Sequence, residues 1–473
     1  MAVLVLEAST SSAKAMVYDA QSGIKSVVSN AYAPSVSDVA THDADGVLSA
    51  MTAAGRQAVR EANCPIDVVS LGGTWHSLVM LDHTMRPVTR CYTWAYTGAA
   101  KSAGELRQDE TLAAGVYART GCMVHAIYPA FKYRYLKQAL GLADGLFCAG
   151  QSDYNFYRMT GKWHVSQSMA SGTALLNTHT LDWDDETLAL CGLTRAQLPK
   201  LVTHTDFEPL NAEFAESLHV PQGIPVVPPH PDGAMNQVGA GAMSPGIMTL
   251  SVGTSGALRM AFDHPVQTKT PGGTWCYVGP GRWLCGAATS GATNCVDWLV
   301  KKILGGQYSF SQLEALAKEA EGDYPVFTPF LYGERCPGWR DERLGAFADL
   351  SGACGPGHLY RAVLEGILMN LYDCFLALCE VGGSPEHIRV SGGILNSPLW
   401  TQMLADILQR DIECADMEQA SMMGCAALGL IAEGRLSDPG DFDPGSATIV
   451  HPDPATAAHY AERFERYKRL YRA

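Results

Sequence analysis

Short apolar runs alternate with longer amphipathic segments along the chain, and this alternation predicts an α/β fold. The runs Ala2–Leu6, Val68–Gly72 and Ile247–Val252 have the length and the β-branched content of buried strands. Val47–Ala62 is predicted to be a helix, and in His358–Leu378 the apolar residues recur at helical spacing. Strands that alternate with helices favour sheets covered by helices.

The remaining segments extend this prediction. Further predicted strands are Lys14–Tyr18, Leu78–Leu81, Ile224–Val227 (ended by the prolines that follow it) and Ile388–Val390, and further helices are Tyr128–Leu140, Asp182–Leu190, Gly233–Gly241, Ser397–Gln409, Met422–Glu433 and Pro454–Tyr471. Glu7–Ala13 is predicted to be a turn, Trp283–Leu304 a turn that leads into a helix, and Phe327–Arg343 a loop-rich stretch.

Two of these helices carry informative side chains. In Tyr128–Leu140, the basic residues Lys132, Arg134 and Lys137 indicate a solvated face. In the last helix, four aromatic residues lie along one face, so this helix is expected to dock onto the body of the protein; they are Tyr460, Phe464, Tyr467 and Tyr471.

One local pattern occurs twice. Leu4–Ser11 and Met248–Ser255 each run from a strand through a small residue to Thr-Ser, and a second strand follows. The copies begin the two halves of the chain, as a duplicated domain would place them. If the halves face each other across a cleft, the two hydroxyl-bearing loops would hold one polyphosphate between them. Two unrelated hairpins would give the same pattern, and both interpretations stay open.

Val226–Gly256 combines a carboxylate with a possible anion site. Asp232 stands at the start of a helix of small residues, a position that favours an ionised carboxylate. The loop Gly253–Gly256 offers free backbone N–H groups and hydroxyls that suit a phosphate. Ordinary turn chemistry explains both segments equally well, so the residues alone do not decide for a catalytic site.

Composition and charge narrow the class of protein. With 473 residues the chain exceeds what one core usually serves, so two domains are expected. The net charge of −14 argues against nucleic-acid binding and against an anionic membrane surface. The 14 cysteines are scattered singly, which indicates reduced thiols and a cytoplasmic protein, and we identify neither a signal peptide nor a membrane span. No P-loop motif and no G-x-G-x-x-G after a strand occur.

Several motifs, in order, resemble the FGGY family of carbohydrate kinases, of the actin/hexokinase-like superfamily, and within it most closely the gluconokinase group. The match extends over nearly the whole chain. The motifs are Trp75-His76-Ser77-Leu78 with Thr93-Trp94-Ala95, Thr178–Trp183, Gly333–Trp339, Gly345–Glu365, and Ser391-Gly392-Gly393 with Ser397–Trp400.

The resemblance implies two ribonuclease-H-like domains around a central cleft, residues 1–243 and 244–473, with ATP and Mg²⁺ in the cleft and a sugar or sugar acid, gluconate first, as acceptor. A homodimer is possible. Asp232 resembles the catalytic base that takes the proton of the attacking hydroxyl. The implied roles of the other residues are ATP or phosphate binding by Thr10, Ser11, Lys14, Gly253, Thr254, Ser255, Gly392, Gly393 and Asn396, substrate binding by Trp75, His76, Asp232 and Glu334, and metal binding by Glu7 and Asp232.

The chain departs from the family pattern at three places. Glu7 and Ser9 replace the Asp and Gly of the family's Asp-x-Gly-Thr, and Ser166 stands where Asp is frequent. Tyr96 and Gly98 replace the Asp and Arg of Trp-x-Asp-x-Arg. An arginine is the best partner for a carboxylate, so its loss leaves open a neutral ketose or polyol as acceptor. A sugar- or nucleotide-binding relative that has lost phosphorylation is the other alternative.

Overall fold

The computed structural model describes residues 2–320, 322–415 and 419–473. Its strands are β1 (Ala2–Ala8), β2 (Ser12–Asp19), β3 (Gly23–Ala31), β4 (Thr41–His42), β5 (Val68–Gly73), β6 (Val79–Leu81), β7 (Cys91–Tyr92), β8 (Phe147–Ala149), β9 (His164–Ser166), β10 (Leu176–Asn177), β11 (Asp182–Trp183), β12 (Lys200–Val202), β13 (Glu208–Pro209), β14 (Pro225–Pro231), β15 (Ile247–Val252), β16 (Gly256–Phe262), β17 (Trp275–Val278), β18 (Trp283–Thr289), β19 (Val326–Thr328), β20 (Ala346–Ala348), β21 (His387–Ser391), β22 (Ile412–Cys414) and β23 (Thr448–Val450).

The helices complete the layers around these strands. They are α1 (Ala44–Ala62), α2 (Ala100–Arg107), α3 (Glu110–Thr120), α4 (Pro129–Ala139), α5 (Gln151–Thr160), α6 (Gln167–Ser171), α7 (Asp185–Cys191), α8 (Ala212–Leu218), α9 (Asp232–Gly239), α10 (Thr293–Trp298), α11 (Phe310–Glu319), α12 (Pro356–Gly382), α13 (Pro398–Leu408), α14 (Ala420–Ala432) and α15 (Ala457–Arg472).

Two mixed sheets repeat one arrangement. The first sheet has the strand order β13-β14-β5-β1-β2-β3, and the second has the order β17-β18-β16-β15-β21-β22-β23. In each sheet a central strand, β1 or β15, pairs antiparallel with the next strand and parallel with a later one. The duplicated hairpin in the sequence is therefore a real structural repeat, and the predicted α/β fold with two similar halves is confirmed. The first half of the chain is the part that carries the first sheet, and the second half is the part that carries the second sheet.

Helix α14 of the second half packs against α9 of the first half at unusually close range. A Cβ on Gly239 would lie 1.9 Å from the Ala420 carbonyl oxygen, and one on Gly424 would lie 2.0 Å from that of Met235. Only glycine leaves room for such backbone contact. Gly239 of α9 and Gly424 of α14 therefore let these two helices pack backbone against backbone.

The longest helix, α12, is apolar over most of its length. By length and composition it could cross a membrane, but 72% of its most apolar window is buried inside the protein. Its buried residues belong to the main hydrophobic core, together with those of β15, β16 and β18. This helix is therefore accounted for as a core helix. The predicted docking of α15 is also confirmed, because Tyr460 and Tyr467 are buried.

Three local predictions were wrong. Strand β14 does not end at Val227 but continues through Pro228 and Pro229, because a register shift between Val227 and His230 removes the need for their missing N–H groups. Trp283–Thr289 is a strand rather than a turn, since its small residues pack inside the second sheet. Asp182–Trp183 is a short strand, and the helix begins only at Asp185.

A fourth correction concerns α4. Lys132, predicted to lie on a solvated face, is completely buried, with an exposed fraction of 0%. Its ammonium group is inside the protein and donates hydrogen bonds to backbone carbonyl oxygens. The basic residue in this helix therefore did not indicate exposure to solvent.

Candidate active site

The predicted site residues of the first half lie at the carboxyl ends of three neighbouring strands. Glu7 lies near the end of β1, Trp75 and His76 follow β5, and Asp232 follows β14. Because β1, β5 and β14 run parallel, with Glu7 opposite Gly72 and Gly73 opposite Pro231, these ends meet at one edge of the sheet. Open α/β sheets place ligands at this edge.

Glu7 is buried, and both of its carboxylate oxygens have polar neighbours. Its Oε1 accepts a hydrogen bond from the Ser9 hydroxyl at 2.6 Å and lies 3.3 Å from the ammonium of Lys14. Its Oε2 accepts a hydrogen bond from the hydroxyl of Ser421, at the start of α14, at 2.5 Å. Two of the departures from the family pattern, Glu7 and Ser9, are thus bonded to each other, and the carboxylate joins the two halves.

Asp232 is the first residue of α9, and its Oδ1 accepts a hydrogen bond from the Gly233 N–H at 2.7 Å. Burial, and after it the nearby charge of Glu7, raises the pKa of Asp232 to about 6, although Arg259 lowers it in part. A carboxylate with a pKa close to neutral pH can accept a proton and still be ionised when substrate arrives.

Trp75 and His76 form an aromatic wall beside Asp232. The indole Nε1 of Trp75 donates to the Ser168 carbonyl at 2.9 Å, and its ring centroid lies 4.9 Å from that of Tyr277. A Cβ on Gly233 would lie 2.5 Å from the Trp75 ring, so the absence of a side chain lets the indole reach the start of α9.

The imidazole of His76 is neutral and has a fixed orientation. Its Nδ1 lies 2.6 Å from the carbonyl oxygen of Gly172, which can only accept, so Nδ1 carries the proton. Burial holds the pKa of His76 well below its usual range, and the charges of Arg335 and Lys132 lower it further. Nε2 is therefore left as an acceptor for a donor such as a sugar hydroxyl.

Two half-buried arginines, Arg259 and Arg335, complete this region, and the sequence analysis assigned a role to neither. A Cβ on Gly233 would lie 3.0 Å from Nη2 of Arg259. The positive charge of Arg335 lowers the pKa of both Arg259 and His76, so Arg335 lies near these two residues. The Nε of each guanidinium is buried and has no hydrogen-bond partner within the described ranges of the chain. Arg259 is a charged residue in the otherwise apolar strand Gly256–Phe262, and this contrast is the sequence signal that could have found it.

A cavity of about 350 Å³ lies beside Arg335, between residues of the two halves. Trp94 and Tyr96 line it from the first half, and Thr254, Ser255 and Arg335 line it from the second. The structure therefore brings Thr254 and Ser255 of the predicted phosphate loop to the same cavity as Glu334, a predicted substrate residue. Where the halves meet, Nε2 of His125 lies 2.9 Å from Oδ1 of Asp341.

The predicted phosphate and nucleotide residues fall into two groups. In the first half, the hydroxyl of Thr10 accepts a hydrogen bond from Trp94 Nε1 at 2.9 Å, and Ser11 is exposed. In the second, the Gly253–Ser255 loop meets the turn after β21, because a Cβ on Gly392 would lie 2.5 Å from the Val252 carbonyl oxygen. Gly393 and Asn396 begin and end the short turn that follows.

Glu334 lines the cavity, but its carboxylate is occupied by protein groups. Oε1 accepts hydrogen bonds from the Gly338 N–H at 2.9 Å and the Tyr471 hydroxyl at 2.5 Å. Oε2 accepts from Arg343 at 3.2 Å and lies 3.4 Å from Arg340. These contacts tie the cavity loop to the end of α15. Direct substrate binding by Glu334 stays a prediction.

Comparison with known proteins decides the family. The model of the N-terminal domain of the FGGY family of carbohydrate kinases matches residues 2–239, and that of the C-terminal domain matches residues 248–433. The chain belongs to the FGGY family of carbohydrate kinases. It is therefore a phosphotransferase with the two-domain α/β fold of that family, as the sequence motifs predicted, and ATP is a substrate.

Curated relatives include more than one kind of FGGY kinase. The chain is 28% identical to the gluconokinase of Bacillus licheniformis over 429 residues, which cover 87% of this chain and 83% of the relative. It is 31% identical to the xylulose kinase of Klebsiella pneumoniae over 411 residues, covering 85% and 84%.

Solved structures give the same two classes. The gluconate kinase from Lactobacillus acidophilus superimposes with a TM-score of 0.92 at 26% identity, covering 99% of this chain and 98% of that chain. The ligand-bound xylulose kinase from the same organism also gives a TM-score of 0.92 at 26% identity, covering 99% and 97%. These FGGY relatives agree on the fold and differ in the acceptor.

Proposed function

We propose that this FGGY kinase transfers the γ-phosphoryl group of ATP to a hydroxyl of a sugar acid of the gluconate class. The single observation that carries the choice of acceptor is the pair of guanidinium groups, Arg259 and Arg335, beside Asp232 and His76. Both arginines are half-buried, and the Nε of each has no hydrogen-bond partner among the described residues, so these guanidinium groups keep donors for an anion; a carboxylate is the anion that a sugar acid brings.

The two arginines differ in their surroundings, which suggests different tasks. Arg259 lowers the pKa of Asp232, so it lies where the attacking hydroxyl and the phosphoryl group would meet. Arg335 lowers the pKa of His76 and of His125 and lines the cavity, so it lies toward the acceptor. We assign the acceptor carboxylate to Arg335 and the charge that develops on the phosphoryl group to Arg259.

Asp232 is the general base in this proposal. It accepts the proton of the acceptor hydroxyl as that oxygen attacks the γ-phosphorus, and the bond from phosphorus to the bridging oxygen of ADP breaks. Trp75 packs against the carbon skeleton, and Nε2 of His76 accepts a hydrogen bond from a second hydroxyl. Phosphoryl transfer depends mostly on alignment and on charge stabilisation, so these groups suffice chemically.

The remaining assignments concern the nucleotide. Thr10, Ser11, Lys14 and Gly253–Ser255 would hold the phosphates, and Gly392, Gly393 and Asn396 would border the adenosine. Asp232 and Glu7 fit a divalent cation, because the charge of Glu7 already raises the pKa of Asp232, and a cation would relieve that repulsion. When bound, Mg²⁺ neutralises phosphate charge.

Two further assignments concern the bounds of the domains and the location of the protein in the cell. We propose that the domains span residues 1–243 and 244–473, since each range contains one of the two large sheets. We also propose a cytoplasmic location, which the 14 free cysteines support, because thiols persist in a reducing compartment.

A panel of acceptors tests the function. Purified protein with ATP and Mg²⁺ is given D-gluconate, D-xylulose or glycerol, and ADP release is followed. We expect the highest kcat/KM with gluconate. Transfer to xylulose with none to gluconate would reject the sugar-acid class and favour the neutral ketose that the xylulose kinase relatives and the Tyr96–Gly98 departure suggest. Transfer to no acceptor would favour a binding protein.

The carboxylate assignment has its own variant. Arg335→Met should raise the KM for gluconate at least tenfold, the factor expected for loss of a charged hydrogen bond, and leave the KM for ATP nearly unchanged. Arg340→Met is the matched control, because Arg340 lies in the same loop but is exposed and paired with Glu334. An unchanged gluconate KM in Arg335→Met would contradict the assignment.

A further inference from the structure

The buried lysine on α4 has no role in the chemistry described so far. The ammonium of Lys132 donates to the carbonyl oxygen of His76 at 2.6 Å and to that of Thr93 at 2.5 Å. No carboxylate is paired with it among the ion pairs of the described residues. Placing a lysine in the interior without a counter-charge is unfavourable unless its donors are well used.

The two carbonyls belong to two segments of the first half that we assign to the acceptor. His76 provides the neutral imidazole of the aromatic wall. Thr93 precedes Trp94, which lines the cavity and donates its Nε1 hydrogen bond to Thr10 of the first phosphate loop. One ammonium group therefore joins the acceptor wall to the segment that contacts the phosphate loop.

The bond to His76 has a second consequence. His76 has a φ of 70°, in the left-handed region that is uncommon for residues other than glycine. Such a backbone conformation is strained and persists only where neighbours impose it. Lys132 holds the carbonyl of this residue while Gly172 holds its imidazole, so the two contacts together fix both the backbone and the ring.

We propose that Lys132 is a positioning residue for the acceptor: it holds His76 and the Thr93–Trp94 segment in the geometry that binds the sugar, without touching the sugar itself. The inference rests on the proposed function in taking the acceptor as the ligand of the Trp75–His76 wall. It adds that acceptor affinity depends on a side chain behind the wall.

The variant Lys132→Met keeps the length of the side chain and removes its donors. Lys137→Met is the matched control, since Lys137 lies on the same helix, at the surface, 2.6 Å from Asp144. For the best acceptor of the panel, we expect Lys132→Met to raise the KM at least tenfold, with the KM for ATP within twofold of the original protein. Lys132→Arg, which retains charge and donors, should give an intermediate acceptor KM. Lys137→Met should change neither constant.

This pattern separates positioning from a general loss of folded protein. Misfolding lowers the apparent kcat by reducing the amount of active enzyme, but it does not raise one KM alone. Equal acceptor KM values in Lys132→Met and the original protein would overturn the proposal. If Lys132→Met does not fold, as judged by circular dichroism, Lys132→Gln, which is shorter and uncharged, decides: a selective rise in acceptor KM supports the proposal, and an unchanged KM overturns it.

A measurement without ligand keeps this test independent of the proposed function. Hydrogen–deuterium exchange of peptides that cover Gly73–Ser77 and Thr93–Tyr96 should be faster in a folded Lys132 variant than in the original protein and in Lys137→Met. Equal exchange would overturn the positioning role even if an acceptor were never found. Transfer to no acceptor, combined with faster exchange, would reject the proposed function and leave Lys132 as the residue that holds these segments.

Discussion

The phenol of Tyr96 occupies the space in which a side chain at position 98 would begin. A Cβ on Gly98 would lie 2.2 Å from Oη of Tyr96, far inside van der Waals contact. The two departures from the family's Trp-x-Asp-x-Arg pattern therefore depend on each other: the tyrosine ring can keep this position only because residue 98 is glycine. Tyr96 lines the cavity, so the pair shapes the space that we propose for the acceptor.

This relationship predicts coupled effects of mutation. Gly98→Ala should push the Tyr96 ring toward the cavity and raise the acceptor KM by roughly threefold to tenfold, whereas Tyr96→Asp combined with Gly98→Ala should lose less than the sum of the single changes. A double-mutant cycle on kcat/KM measures the coupling, which we expect to exceed about 1 kcal/mol. Gly104→Ala is the control, since a Cβ there would meet nothing within 4 Å. Additive effects would contradict the dependence.

Asp232→Asn should abolish transfer while ATP still binds. Loss of a general base typically lowers kcat by about 10² to 10⁴, and the amide keeps the shape of the side chain. Single-turnover transfer and the Kd for ATP are the two measurements. A Kd for ATP within threefold of the original value, together with lost transfer, identifies a kinase. The alternative of a binding protein requires that the original protein itself show no transfer.

Glu7→Asp should retain ATP turnover within roughly fivefold, because either carboxylate can face a divalent cation. The shorter side chain withdraws from Ser421 and from the Ser9 hydroxyl, so Glu7→Asp combined with Ser9→Gly, the family pattern, should be at least as active as Glu7→Asp alone. Steady-state ADP release measures both. Loss of all turnover in a correctly folded Glu7→Asp protein would show that Glu7 does not replace the family's aspartate.

Lys132 makes the stability of the protein depend on pH above neutrality. Burial lowers the pKa of Lys132 to about 7, whereas an unfolded lysine has a pKa of about 10.4. Between these values the unfolded chain binds more protons than the folded one, so stability rises with pH. The facing groups do not titrate in this range, since burial raises the pKa of Cys91 to about 12 and holds that of His76 well below its usual range.

The free energy of unfolding should therefore increase by about 2 kcal/mol more from pH 7 to pH 9 in the original protein than in Lys132→Met. Urea denaturation at each pH measures both proteins, and every other group contributes equally to the two. Lys137→Met should follow the original protein. Identical pH dependence in the original protein and Lys132→Met would show that Lys132 keeps an ordinary pKa.

Much of this protein is determined locally and can be found in the sequence. The paired hairpins around Thr10-Ser11 and Thr254-Ser255, the position of Asp232 at the start of a helix, and the aromatic face of α15 follow from strand alternation, glycine turns and helical spacing. These signals depend on residues a few positions apart, so no tertiary information is needed. The family motifs lie on the same local segments, and they indicated an FGGY carbohydrate kinase.

Other features depend on contacts between residues that are far apart in the chain. Lys132 reaches carbonyls 56 and 39 residues away, so its helix shows only a basic residue that normally indicates solvent. Arg259 comes close to Asp232, and Arg335 close to Arg259 and His76, only when the second sheet and the loop after β19 are in place. Burial raises the pKa of Asp232 through the packing of both halves. The sequence determined which segments carry the chemistry, and the tertiary structure decided which side chains face one another, because distance and desolvation arise only when the two sheets come together.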